Sequence, residues 1–126
     1  MSLEENNLSR DYLYGRLLAV AENIEHYFLT KEEKLRPTKA ERYMQRFAIQ
    51  PYTTWLYIYA RLRPYINRLK SSLEHRGFIF SREKELEDIH SLFTSDSYND
   101  NSKLSPEYLL GYFTQKRKLF NKKEGE

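Results

Sequence analysis

Three histidines, His26, His75 and His90, and a set of carboxylates are the residues of this chain with acid–base or metal chemistry within reach. The histidines lack the close spacing that tetrahedral metal sites use. There is no cysteine, which removes disulfide and thiolate chemistry. Glu83 and Glu87 fall on one helix face, but exposed carboxylate pairs ordinarily only solvate a surface. No motif implies a cofactor. The cations are more informative. From Arg42 to Lys70 there is no Asp or Glu, and the cations are Arg42, Arg46, Arg61, Arg63, Arg68 and Lys70. Nearly all are arginines, whose planar fork suits phosphate. Lys116, Arg117, Lys118, Lys122 and Lys123 form a second cluster. Tyr52, Tyr57 and Tyr65 lie among the first set, where they can stack on bases or sugars. The carboxylates gather elsewhere, at Glu74, Glu83, Glu85, Glu87, Asp88, Asp96 and Asp100. The plainer reading makes the tyrosines core or rim and pairs the arginines with this acidic stretch. The chemistry that the cations support is sequence-independent contact with nucleic-acid phosphates. The candidates for it are Arg42, Arg46, Arg61, Arg63, Arg68, Lys116, Arg117 and Lys118.

One spacing touches catalysis. Arg68 and His75, within RLKSSLEH, resemble the R-x-x-x-x-x-x-H motif of helical ribonucleases of the HEPN class. The resemblance implies a His acting as acid or base on a ribose hydroxyl and an Arg steadying the phosphate. That family usually carries a polar residue just after the Arg, where Leu69 stands here. The motif is short and recurs by chance in basic helices, so the chain is read as non-catalytic with this ribonuclease as an alternative.

The elements that must position these residues are helical throughout. Ser9 reads as an N-cap with Asp11 in the first turn, and Leu13, Leu17, Val20, Ile24 and Tyr27 make one apolar stripe of a helix to about Thr30. Lys31 to Pro37 is a charged connector. Thr38 and Glu41 form a capping box opening a short second helix, with Tyr43, Met44 and Phe47 on its buried side. Pro51 starts a third helix carrying Trp55, Leu56, Tyr59, Leu62, Ile66, Leu69 and Leu73. Its stripe keeps phase across Pro64, which predicts a kink, and Gly77 supplies a stop. Phe78 to Phe80 is a short link, and Ser81 opens a fourth helix with Leu86, Ile89 and Phe93 on its stripe. Residues 94–103 form a polar loop of turn formers. The last helix starts at Ser105 and Pro106 and carries Tyr108, Leu109, Tyr112, Phe113 and Phe120 before its cations. With a face to bury and a basic end, it is expected to organise the rest. The expected core includes Leu17, Ile24, Phe47, Trp55, Leu62, Ile66, Leu109 and Phe113.

No segment alternates with a two-residue period, and no repeat of solenoid length is present. The expected fold is all-α, a compact bundle of about five helices, in a single domain over residues 1–126 with a polar leader at 1–8. The length of 126 residues suits one domain with a real core. The composition, 31% charged and 40% hydrophobic, is globular rather than disordered. No apolar run is long enough for a membrane span, and MSLEENN lacks a signal-peptide pattern. A cytoplasmic protein without membrane contact is expected. Net charge is only +3, so the distribution of charge rather than its sum carries the information. Bringing the third helix beside the last would create one basic face and one acidic edge.

Two segments carry a further resemblance. Tyr12 to Glu22, YLYGRLLAVAE, resembles the Y-L-x-G-R-L-x-A-V-x-E start of the C-terminal region of the large subunit of type I-C CRISPR surveillance complexes. The last stretch resembles the same family's ending, an L-S-x-E start followed by G-Y-x-x-Q and, further on, Phe and Lys. The matching positions are Leu104, Ser105, Glu107, Gly111, Tyr112, Gln115, Phe120 and Lys123. Lys116 stands where an arginine is usual. Between the ends, Arg42-Tyr43, Pro51 and the amphipathic stretch from Leu62 to Leu69 fit loosely.

The resemblance implies a separately translated small subunit, produced in such systems from an internal start within the large-subunit gene. The alternative within the family is a cut-out domain of the large subunit. It implies an all-helical bundle, present in more than one copy, lining the backbone that carries the crRNA beside the large subunit. There it would help hold the RNA–DNA hybrid region and guide the displaced strand of the target DNA. Gly15 and Gly111, at family positions, are expected where helices pack closely, since Gly inside a helix otherwise costs about 1 kcal/mol against Ala. The remaining reading is a protein-interaction bundle whose basic face docks on an acidic partner without touching nucleic acid.

Overall fold

Ser9 opens the first helix as the sequence predicts, its hydroxyl accepting the backbone N–H of Tyr12 at 3.3 Å. The computed structural model describes residues 9–34, 36–94 and 96–124, with side chains as far as Leu119; the leader and the side chains of Phe120, Lys122 and Lys123 lie outside the described residues. The elements are α1 (Arg10–Lys31), α2 (Lys39–Arg42), α3 (Met44–Ile49), α4 (Pro51–Lys70), α5 (Arg76–His90) and α6 (Glu107–Glu124). No strand occurs among the described residues, so the fold is all-α. The expected second helix is two short ones. Its capping box is present: Thr38 Oγ1 accepts the Glu41 N–H at 3.2 Å, and the Glu41 carboxylate accepts the Thr38 N–H at 2.8 Å.

The organising element is α1, not the last helix. It packs against α2, α4, α5 and α6. Its residues from Tyr12 to Glu22 are buried on nearly every side, where the sequence predicted a single stripe. A helix enclosed by others needs apolar or small residues all round, and the Ala19-Val20-Ala21 run supplies them. Leu17, Ile24, Phe47, Trp55, Leu62 and Ile66 are core residues as expected.

Two expected core residues are not. Leu109 is 36% and Phe113 55% exposed. The buried face of α6 is instead Gly111, Tyr112, Gln115 and Leu119. The reason lies in the contact with α1. A Cβ on Gly15 would lie 2.7 Å from the Tyr112 nitrogen, and one on Gly111 would lie 2.9 Å from the Tyr12 carbonyl carbon. The helices touch backbone to backbone at their glycines, and this register of α6 turns Leu109 and Phe113 away from the seam. The close packing expected of both glycines is present.

The seam is also polar. Arg16 Nε donates to Gln115 Oε1 at 2.8 Å, and Gln115 Nε2 donates to Glu85 at 2.7 Å. The Tyr112 hydroxyl donates to the Glu22 carboxylate, and Lys116 Nζ stands 3.6 Å from Glu22. Burial and this carboxylate together raise the Tyr112 hydroxyl's pKa. Gly15, Arg16 and Glu22 of the first sequence motif thus meet Gly111, Tyr112 and Gln115 of the second.

Three boundaries differ from expectation. α4 runs unbroken through the exposed Pro64 but stops at Lys70, leaving Leu73 83% exposed. Gly77 is not a stop; it lies in the first turn of α5 with open space around it and no positive φ. Phe78 to Phe80, read as a link, belongs to α5, because Ile79 is fully buried and Phe78 stacks on Tyr27 with centroids 3.7 Å apart. Those contacts need the stretch helical.

The loop before α6 fixes α4. Asn101 Oδ1 accepts the Tyr52 and Thr53 N–H groups at 2.9 and 3.1 Å, capping α4 from a distance in sequence. Leu104 N–H donates to the Ala48 carbonyl at 2.7 Å, and Arg10 donates to the carbonyls of Asp100 and Ser102 at 2.7 and 2.9 Å. Asp11 accepts the Ser105 N–H at 2.7 Å, so the start of α1 and the α3–α4 junction both hold this segment down.

Candidate nucleic-acid interface

Arg42 ends α2, Tyr43 is the junction to α3, and Arg46 follows one turn later. Tyr57 and Arg61 stand four residues apart on α4, which places them together on one face. The packing of α3 on α4 brings the two groups into one cluster. The Tyr43 and Tyr57 rings meet edge to face with centroids 5.3 Å apart, and their hydroxyls lie 3.5 Å apart. The guanidinium carbons of Arg42 and Arg46 lie 5.6 and 5.9 Å from the Tyr43 centroid, and that of Arg61 lies 4.7 Å from the Tyr57 centroid. One turn along α4, Arg63 stands 5.8 Å from the Tyr59 ring.

All four arginines are exposed, and none is ion-paired to a described carboxylate. Aromatic rings attract these cations without cancelling their charge, and exposed guanidinium groups suit phosphate oxygens. The contact between the two tyrosines registers on both hydroxyls. Hydrogen bonds with Tyr43 and Arg61 lower the Tyr57 pKa, while its partner Tyr43 moves up, chiefly through the same Tyr57 hydrogen bond.

The other candidates behave differently. Arg68 lies 3.7 Å from Glu32 and over the Phe28 ring. Lys116 is held by Glu22 and the Tyr112 hydroxyl, and Lys118 lies 3.0 Å from Glu85. These three are neutralised by their own fold. Arg117 is exposed with no described carboxylate against it. The side-by-side arrangement that would join the basic helices into one face is not found among the described residues: α4 and α6 each pack on α1 and are not a packed pair. The candidates therefore separate into an arginine cluster on α2–α4 and a paired set, Arg68 at the end of α4 with Lys116 and Lys118 on α6.

Of the tyrosines proposed for stacking, Tyr57 is 38% exposed within the cluster. Tyr52 packs on Tyr98, and Tyr65 stacks on Phe28 while accepting from Arg36 at 2.7 Å. Tyr43 was expected on a buried side but is half-buried, and it centres the cluster. Its position beside Arg42 and three residues before Arg46 was the available signal.

The residues of the ribonuclease reading have separate surroundings. Arg68 is on α4 with Glu32, whereas His75 lies beyond the end of that helix, its Nδ1 2.9 Å from the Tyr27 hydroxyl. Among the described residues, no group of three or more His, Cys, Asp or Glu could hold a metal ion. No described helix is long and apolar enough to cross a membrane.

The model of a protein family described as CRISPR-associated protein (Cas_Csd1) matches residues 1–120. No curated protein matches the chain.

Proposed function

The chain belongs to the Cas_Csd1 family of CRISPR-associated proteins, and on that premise we propose that it is a non-catalytic small subunit of a type I-C surveillance complex that stabilises the R-loop. Its place would be the cytoplasm, in more than one copy along the backbone carrying the crRNA. Its ligand is the displaced strand of the target DNA, contacted without reading sequence. R-loop formation exchanges one duplex for another at nearly balanced free energy, so modest binding to the released strand tips it. The observation that carries this reading is the unneutralised cluster of Arg42, Arg46 and Arg61 on the Tyr43–Tyr57 pair. Guanidinium groups supply the phosphate contacts and the tyrosines a surface for bases or sugars.

A second surface suits a protein. Leu110 and Phe113 are each 55% exposed on α6, next to Leu109. This apolar strip fits docking on a neighbouring subunit of the assembly, and a docking role alone is the competing reading.

A salt titration of the full chain with single-stranded DNA tests the proposal, with R-loop formation by the assembled complex as second readout. Binding should fall with salt and be indifferent to sequence. The triple variant R42E/R46E/R61E should lose it and slow R-loop formation. Unchanged target binding by the triple variant would leave the docking role alone.

A further inference from the structure

A cavity of about 330 Å³ lies between α1, α4, α5 and the loop at Tyr98, away from the Tyr43–Tyr57 pair. Its volume is at the small end of ligand clefts, roughly 300–1,000 Å³. Leu17 and Leu86, both buried, form its floor, and the rings of Trp55, Tyr59, His90 and Tyr98 form its walls. The walls are fixed: Trp55 stacks on Tyr59 at 5.7 Å, and His90 meets Tyr98 edge-on at 4.4 Å. Tyr98 is held in turn by the Tyr14 hydroxyl, which donates to its carbonyl.

Among the described residues, the one carboxylate lining this aromatic chamber is Glu87. Its neighbours on α5 are all matched: Glu83 with Lys70 at 2.8 Å, Glu85 with Lys118 at 3.0 Å and Asp88 with Lys84 at 3.1 Å. Glu87 has no cation against it among the described residues. Arg63 stands over Tyr59 but does not line the cavity. Aromatic faces attract cations through their quadrupoles, and an adjacent carboxylate adds to that attraction while repelling phosphate.

We propose that this cavity is a cation site that takes the guanidinium or ammonium group of an arginine or lysine side chain from a partner protein. It rests on the proposed function only in supposing an assembly that supplies the partner. A long side chain can bury its stem against Leu17 and Leu86 while its charged head meets the rings and Glu87.

Trp55 is the only tryptophan in the sequence, so its indole N–H gives one resonance reporting on the cavity wall. The labelled full chain is titrated with acetyl-arginine amide, acetyl-citrulline amide, spermidine and deoxycytidine monophosphate. A saturable shift is expected with the arginine probe and at least a tenfold weaker response with citrulline, its uncharged counterpart. E87Q should weaken the arginine response at least fivefold, and E87K, which places its own ammonium at the mouth, should abolish it. Glu87 is exposed, so both variants are expected to fold. Equal responses to arginine and citrulline, or an unchanged response in E87Q, would overturn the proposal. Tenfold tighter binding of spermidine would make the site one for free polyamines, and tighter binding of the nucleotide would make it a base pocket; either overturns it. Single-strand binding by the arginine cluster is read separately in the salt titration, so failure here leaves that reading intact.

Discussion

Gly111 faces Tyr12 so closely that a Cβ there would stand 2.9 Å from the Tyr12 carbonyl carbon and overlap its oxygen. The neighbour is backbone, which cannot rotate aside, so the α1–α6 distance itself depends on this residue having no side chain. Gly111→Ala and Gly15→Ala should each destabilise the fold by about 1–3 kcal/mol, the usual cost of overpacking, despite alanine's better helix propensity. Gly77→Ala, whose added Cβ would meet nothing within 4 Å, should stabilise by about 0.5–1 kcal/mol. Urea denaturation of the three variants reads both signs.

Gln115 is 1% exposed and bridges Arg16 to Glu85. Gln115→Ala should cost about 1–3 kcal/mol, since it strands polar groups in a half-buried seam. A Gln115→Glu change should cost more, by setting a second carboxylate against Glu85. Thermal melts of the two variants check the order.

Burial pushes the Glu85 pKa up, but hydrogen bonds from Gln115 and Lys118 and the charges of Lys118 and Arg16 outweigh it and hold the carboxyl below its ordinary value of 4.5. The unfolded chain therefore takes up this proton at a higher pH than the folded one. The stabilisation is complete above about 4.5 and is lost as pH falls through the folded value. Stability followed by denaturation between neutral pH and pH 3 should decline in that window, and Glu85→Gln should flatten the decline.

The hydrogen bond with Tyr43, and after it that with Arg61, lowers the Tyr57 pKa. Arg61→Ala should return it toward the ordinary tyrosine value of 10.0. An NMR titration of the tyrosine ring carbons at alkaline pH measures this, and an unmoved Tyr57 would mean that Arg61 does not reach the Tyr57 hydroxyl in solution.

The two groups of cations should answer differently to neutralisation. R42Q/R46Q/R61Q should reduce the salt dependence of single-strand binding by about 2 units of log K against log salt, at roughly 0.7 per phosphate contact. K116Q/K118Q should leave that slope nearly unchanged, because those lysines already face Glu22 and Glu85. Binding isotherms across a range of salt separate the two.

The chain order of residues was enough to mark the helices that carry dense local signals: Ser9 and Asp11 before a periodic run, Thr38 with Glu41, Pro51 at a first turn. It also marked the carboxylate-free stretch from Arg42 to Lys70 and the two end motifs that carry the family resemblance. Local capping and periodicity are properties of a few neighbouring residues, so they are legible without the fold. That Gly15 and Gly111 serve close packing was legible; that the two end motifs pack on each other was not. Gly15, Arg16 and Glu22 are partners of Gly111, Tyr112 and Gln115, a relation across the whole chain that appears only when α1 and α6 meet. The same meeting turned Leu109 and Phe113 outward, because a contact made by glycines follows the smallest residues rather than the most apolar ones. Only the tertiary structure decided which cations remain free. Lys118 and Arg61 look alike in sequence, but folding placed Glu85 beside one and tyrosine rings beside the other, and that pairing sets which charge is left for a phosphate.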